Sequence, residues 1–154
     1  MSVLGDLASG IFVDEFDSDS DVVTSGSIQA WLENNLGQLN TLIYKDFSGS
    51  ATGMDIEAQS IHKELYLYNY YSKQARLALR GITSSSSDNK ILSLKDGESS
   101  VSFVNRNEVA KVYRGLSNDS KEKVDKLVAQ YNIYEAKPQQ VGGLDGVLFT
   151  GQAY

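Results

Sequence analysis

Cysteine is absent from the 154 residues, so disulfides, thiolate metal sites and cysteine nucleophiles are excluded, and the composition fits a reducing cytosol. Histidine occurs once, as His62. A Ser-His-Asp triad would have to use it, yet nothing like a nucleophile elbow is present. His62 also follows Ile61 near the apolar seam of a helix, where a structural or surface role is expected. Proline occurs once, as Pro138, beyond the last helical pattern. No apolar run approaches the roughly 20 residues of a membrane helix. The first residues, Met1-Ser2-Val3-Leu4-Gly5-Asp6, have neither a basic n-region nor an h-region, so no signal peptide is expected.

Basic residues are scarce in the front of the chain. Residues 1–60 hold ten acids and one base, Lys45, whereas residues 61–154 hold ten acids and thirteen bases. The net charge of −6 argues against nucleic-acid binding as the main role, because phosphate contacts demand a basic face. An acidic front and a mildly basic back can pair between copies; the alternative is an acidic tail that keeps the chain soluble.

The length fits one domain. Residues 1–25 open on Leu4, Leu7, Ile11, Phe12 and Val13 and then carry Asp14, Glu15, Asp17, Asp19 and Asp21 around Phe16. Like charges at that density resist packing, so an extended or mobile acidic arm is expected. From 27 to 47, Ile28, Trp31, Leu32, Leu36, Leu39, Leu42, Ile43 and Phe47 recur at three- and four-residue steps, the stripe of an amphipathic helix. Residues 54–82 predict the longest helix, with Ile61, Leu65, Tyr68, Ser72, Ala75, Leu79 and Ile82 as its seam. Tyr66, Tyr70, Arg76 and Leu77 form a second stripe. Such a helix is either central or shared between its own core and another subunit. Tyrosine suits a subunit contact, with large area and a rim hydroxyl, but serves equally to cover a small core.

After Gly81 and a polar loop, residues 91–104 change period: Leu92 and Leu94 alternate with polar residues, Asp96-Gly97 signals a turn, and Val101 and Phe103 alternate again. A β-hairpin or extended flap is expected. Two shorter helices follow, one with Val109, Val112, Tyr113 and Leu116, ended by Gly115 and Ser117, and one over 119–134 with Val124, Leu127, Val128 and Tyr131. Residues 136–154 are Gly-rich yet apolar around Leu144, Val147, Leu148 and Phe149, and docking on the same domain or on a partner is expected. The expected fold is mainly α: a small bundle of about four helices over 26–135, with the flap and extended arms at both ends.

Catalytic and metal signatures fail on inspection. Asp17-Ser18-Asp19-Ser20-Asp21 imitates the start of a calcium loop, but Val22 stands where glycine is required and Ile28 where glutamate is required. Gly142-Gly143-Leu144-Asp145-Gly146 precedes no helix and reads as a turn rather than a phosphate cradle. No enzyme activity, cofactor or metal is expected.

The order of elements, together with Ile91-Leu92-Ser93-Leu94-Lys95-Asp96-Gly97-Glu98-Ser99-Ser100-Val101-Ser102-Phe103, resembles the head–tail connector (head-completion adaptor) proteins of tailed bacteriophages. That stretch is similar to the Ser-x-Lys-x-Gly-Asp-x-Ser-Val-Ser-aromatic segment between helices in many adaptors, and the resemblance spans about residues 26–135. Two departures stand out: the order is Asp-Gly-Glu rather than the commoner Gly-Asp, and the acidic arm and the tail are additions. The resemblance implies about a dozen copies in a ring beneath the portal, extending the DNA channel and presenting a surface to the next neck or tail-terminator protein. DNA would only pass through, no membrane is involved, and the location is the virion neck after synthesis in the host cytoplasm. It implies portal binding by Leu144, Val147, Leu148 and Phe149. Tyr66, Tyr70 and Arg76 are candidates for the contact between subunits. Asp14, Glu15, Asp17, Asp19 and Asp21 are candidates for a channel lining or a solvated fringe. The alternatives are another neck or tail-completion protein, a stopper or terminator, or a helical protein-interaction adaptor.

Overall fold

The computed structural model describes residues 2–49, 51–84, 93–96, 99–102 and 106–135, with side chains described up to 80 and from 106. The protein is mainly helical. Among the described residues the helices are α1 (Val3–Phe16), α2 (Ser25–Asn34), α3 (Leu36–Ile43), α4 (Ile56–Ser84) and α5 (Arg106–Glu135).

α4 and α5 form an antiparallel pair, each about 45 Å long at 1.5 Å per residue. Tyr131 meets Asp55 at one end, and Ser117 meets Ser72 near the middle. The seam is a three-four repeat on both helices, with Ala58, Ile61, Leu65, Tyr68, Ser72 and Ala75 facing Ala110, Tyr113, Ser117, Ser120, Val124 and Tyr131.

α1, α2 and α3 cover only the half of this pair that holds the start of α4 and the end of α5. Leu4, Ile11, Ile28, Leu32, Leu39 and Ile61 are fully buried there; each contributes about 1.5–3 kcal/mol relative to exposure. An aromatic ladder binds the layers: Phe16 meets Tyr70 edge-on at 4.9 Å and Trp31 meets Tyr66 at 5.3 Å. In the other half the two helices run on as a slender arm. Its buried residues are the small Ala75, Ala110, Ser117 and Ser120, while Leu77, Val112 and Leu116 are exposed. Small seam residues let the helix axes approach closely, since the separation follows the side chains at the contact.

Local chemistry sets the ends of the elements. Ser2 caps α1 by accepting from Gly5 N at 3.1 Å, and α1 ends with Asp17 and Ser18 in the left-handed region at φ 49° and 61°. Thr24 and Ser27 cap α2 reciprocally, each side chain accepting the other's backbone N–H. Asp55 caps α4 by accepting from Ala58 N at 2.9 Å. Two four-residue strands, β1 (Ser93–Asp96) and β2 (Ser99–Ser102), pair antiparallel with Leu94 opposite Val101. The rest of the 91–104 segment lies outside the described residues, as does the tail 136–154.

Several expectations are corrected. The segment 1–25 is not an extended arm: residues 3–16 are α1, and Leu4, Ala8, Ile11 and Phe16 belong to the core. The acids did not prevent this because Asp14, Glu15, Asp17, Asp19 and Asp21 all fall at exposed positions in the last turn of α1 or beyond it. The helical region therefore begins near residue 3 rather than 26: among the described residues α2 to α5 supply the four helices expected from about residue 26 onward, and α1 is added ahead of them. The single helix expected over 27–47 breaks at Asn35, whose side-chain amide donates to the Trp31 carbonyl at 2.9 Å. The two short helices expected between 105 and 134 are one. Ser117 does not break α5, because it turns inward and donates to the Tyr68 carbonyl at 3.2 Å. α4 continues past Gly81 to Ser84.

Candidate functional site

Three surfaces carry the chemistry available outside the core. The first is the loop between α1 and α2. Asp17, Asp19 and Asp21 are exposed and make no ion pair with a described residue. Hydrogen bonds shape the loop: Asp21 N donates to Asp19 Oδ1 at 2.9 Å, Ser18 N to the Phe12 carbonyl at 3.0 Å and Asp19 N to the Phe16 carbonyl at 2.7 Å. The carboxylates thus project from a compact knuckle rather than a loose arm. Just before it, Glu15 pairs with Lys63 at 2.8 Å. Burial lowers the affinity of Lys63 for its proton, but the bond to Glu15 and its charge outweigh burial and raise it.

The second surface is a groove of about 460 Å³ between α4 and α5, where the slender arm begins. Arg76, Arg114 and Lys121 line it together with the hydroxyls of Ser72 and Ser117, and among the described residues no carboxylate lines it. The two serine oxygens lie 2.7 Å apart. None of the three cations is ion-paired with a described residue. Arg80 and Lys111 stand one turn further along the same faces, by the spacing of four and three residues. The groove is an anion receptor by composition: guanidinium forks match carboxylate or phosphate oxygens two at a time, and the ammonium adds a point charge.

The third surface is the end of the molecule where α3 ends, α4 starts and α5 ends. Tyr44, Ile56, Ile133 and Tyr134 are all largely exposed there. Lys45 bridges to Glu135 at 2.8 Å and the Asn132 amide donates to the Leu42 carbonyl at 3.1 Å, so this exposed apolar character sits on a well-tied frame. A hollow of about 400 Å³ opens beside it between Ile61, Leu127, Tyr131 and Tyr134, rimmed by Asp55 and Glu135. The chain leaves α5 at this point toward residues 136–154.

The residues singled out in the sequence separate on this frame. Tyr66 is buried, its ring between Trp31, Phe16 and Tyr70, so the expected subunit contact is corrected to a core position. Burial, with the neighbouring Tyr70, pushes its phenol up to about 12. Tyr70 is half-buried against Phe16, and only Arg76 of that trio is exposed, in the basic groove. Asp14 and Glu15 close α1, whereas Asp17, Asp19 and Asp21 form the knuckle. Leu144, Val147, Leu148 and Phe149 lie outside the described residues. Arg114 and Lys121 were missed. Their spacing of seven on one helix face was a usable signal, but the groove exists only because α5 pairs with α4.

His62 is fully buried. Its Nε2 bonds the Leu32 carbonyl at 2.9 Å, which makes Nε2 the donor, while Nδ1 has no partner. Burial lowers its proton affinity more than that bond raises it, so the ring is a neutral core element. Among the described residues no cluster of three or more His, Cys, Asp or Glu side chains is placed to hold a metal ion, and no helix is long and apolar enough to cross a membrane.

Fold and surfaces together define, among the described residues, a helical protein with a two-layer body, a slender two-helix arm and charge of opposite sign, free of ion pairs, at the α1–α2 loop and in the α4/α5 groove. No family model, curated protein or solved structure matches the chain.

Proposed function

We propose that this protein acts by assembly rather than catalysis, as a structural subunit of a tailed-phage neck: a ring of copies beneath the portal that extends the DNA channel and connects head to tail. One observation carries the assembly reading: an exposed acidic knuckle, with Lys73 lining the hollow beside it, and an exposed basic groove coexist in one small chain, neither ion-paired within it among the described residues. Isolated uncompensated patches of opposite sign suit steering and register between protein surfaces. The neck assignment rests on the resemblance of residues 26–135 to the connector proteins. The exposed apolar end, from which the tail emerges, supports a docking role for that end. In this reading the tail, through Leu144, Val147, Leu148 and Phe149, meets the portal.

Native mass spectrometry of the protein alone and mixed with portal rings tests the reading. A monomer that adds to the portal in about a dozen copies supports it. A discrete small oligomer indifferent to portal points instead to another neck or tail-completion component, or to an unrelated helical adaptor. Deleting 141–154 should abolish portal binding and leave the helical spectrum unchanged; unchanged binding sinks the tail assignment.

A further inference from the structure

The acidic knuckle and the basic groove both lie against α4. Ser20 and Val22 of the knuckle line a hollow against Tyr70, Lys73 and Gln74 of α4. The groove is built on Ser72, Arg76 and Leu79 of that helix. At 100° per residue, Tyr70 and Ser72 point about 200° apart, as do Gln74 and Arg76. Asn69 lines both hollows, so the two surfaces adjoin on α4, yet no knuckle acid is ion-paired with Arg76, Arg114 or Lys121 of its own chain among the described residues.

We infer that the α4/α5 groove receives the acidic knuckle, Asp17 to Asp21, of a second copy of this chain. The inference rests on the assembly reading above and names the contact. Charge is complementary in number as well as sign: the knuckle offers three exposed carboxylates and the groove three cations, Arg76, Arg114 and Lys121, with no acid lining it among the described residues. Both halves are preorganised. The knuckle is held by its own backbone bonds at Phe12, Phe16 and Asp19, and the groove walls by the Ser117 hydroxyl between Ser72 and the Tyr68 carbonyl. Little ordering cost remains on docking, which favours affinity. Val22, exposed beside the acids, would meet the apolar floor of Ala75 and Leu79. Because donor and acceptor surfaces differ, the contact is head-to-tail. Repetition gives a closed ring if the rotation closes and an open filament if it does not.

The test is a charge swap on the full-length chain, read by sedimentation velocity at about 0.05 M and about 1 M salt, where the screening length falls several-fold. The wild type should associate at low salt and dissociate at high salt. Arg76→Glu with Arg114→Glu, and separately Asp19→Lys with Asp21→Lys, should each lower self-association by about tenfold or more. All four sites are exposed, and an unchanged thermal melt shows that each variant folds. An equimolar mixture of the two variants should recover association, because each reversed surface then meets its complement. Recovery is the outcome that nonspecific loss of charge does not produce. A wild type that stays monomeric at low salt, variants that associate like the wild type, or a mixture that does not recover each overturns the inference. A duplex oligonucleotide that binds the groove at low salt, with self-association insensitive to Arg76→Glu and Arg114→Glu, overturns it in favour of phosphate binding. The neck reading is tested apart: a groove-reversed variant that still adds to portal rings like the wild type removes this contact and leaves the ring, whereas recovery in the mixture without any portal affinity keeps the contact and removes the neck.

Discussion

The Tyr131 hydroxyl, near the end of α5, donates to Asp55 Oδ2 at 2.8 Å, while Oδ1 of the same carboxylate caps α4 by accepting from Ala58 N at 2.9 Å. One side chain thus fixes the start of one long helix and clamps the end of the other onto it. Tyr131→Phe removes only the clamp and should cost about 1.5–3 kcal/mol, the range for a hydrogen bond to a charged group. Asp55→Ala removes the cap as well and should cost about 1 kcal/mol more. Urea denaturation of the single and double variants measures the coupling; equal costs for both single variants would show that the cap contributes nothing.

The same bond gives the protein an alkaline limit. Burial and the Asp55 charge hold the Tyr131 phenol well above its ordinary value, and burial does the same at Tyr66. Below about pH 10 both folded and unfolded chains keep these protons and stability is flat in this respect. Above it the unfolded chain releases protons that the native chain retains, so stability falls as pH rises. Tyr131→Phe should flatten that fall in denaturation midpoints taken from about pH 9 to about pH 11. An unchanged slope would leave Tyr66, Tyr70 and Tyr71, whose phenols burial also raises, as its source.

Legibility in the sequence followed the size of the residues that carry each pattern. α4 was readable because Ile61, Leu65, Tyr68 and Leu79 mark its seam with large apolar groups. The matching seam of α5 is written partly in Ala110, Ser117 and Ser120, which look like breaks or surface until a partner helix buries them. α1 was hidden for a different reason. Its apolar face depends on Ala8 and on an aromatic at its very end, Phe16, and the neighbouring acids dominate any reading by charge. The groove was least visible: Arg76 and Arg114 are thirty-eight residues apart in sequence and share a wall only through helix pairing.

Acidification should weaken the protein through His62. Its buried ring stays neutral in the native chain, with Nε2–H on the Leu32 carbonyl and burial holding its proton affinity below the ordinary value. Above about pH 6.5 both states are neutral and His62 contributes no pH dependence. As pH falls below that, the unfolded chain binds a proton that the native chain refuses, and stability is lost until the lowered native value is reached. His62→Gln retains an N–H donor for Leu32 without titrating. Its denaturation midpoint should change less between about pH 7.5 and about pH 5 than that of the wild type. Parallel losses in both proteins would assign the acid sensitivity to groups other than His62.

α1 supplies a direct measure of how far the acidic front is built into the fold. Ile11 is fully buried between α1 and the rest of the core. Ile11→Ala should cost about 2–5 kcal/mol, the transfer loss of the removed carbons together with the cavity they leave. A cost near zero in urea denaturation would mean that α1 is not packed in solution.

The arm of the α4/α5 pair depends on close approach at Ser117, whose hydroxyl contacts Ser72 at 2.7 Å and the Tyr68 carbonyl at 3.2 Å. Two substitutions separate hydrogen bonding from spacing. Ser117→Ala keeps the small volume and removes the polar contacts, so it should cost about 0.5–1.5 kcal/mol. Ser117→Leu also forces bulk into a seam set by Ala75, Ala110 and Ser120, and should cost about 1–3 kcal/mol beyond that by parting the helices. Among the described residues the arm has no third layer to absorb the shift, so its amides, rather than those of the α1–α3 body, should lose hydrogen-exchange protection in Ser117→Leu. Uniform loss across both halves would mean that arm and body unfold as one cooperative unit. Retained protection in the arm would mean that the seam accepts leucine, and that close helix approach is not what holds the pair together.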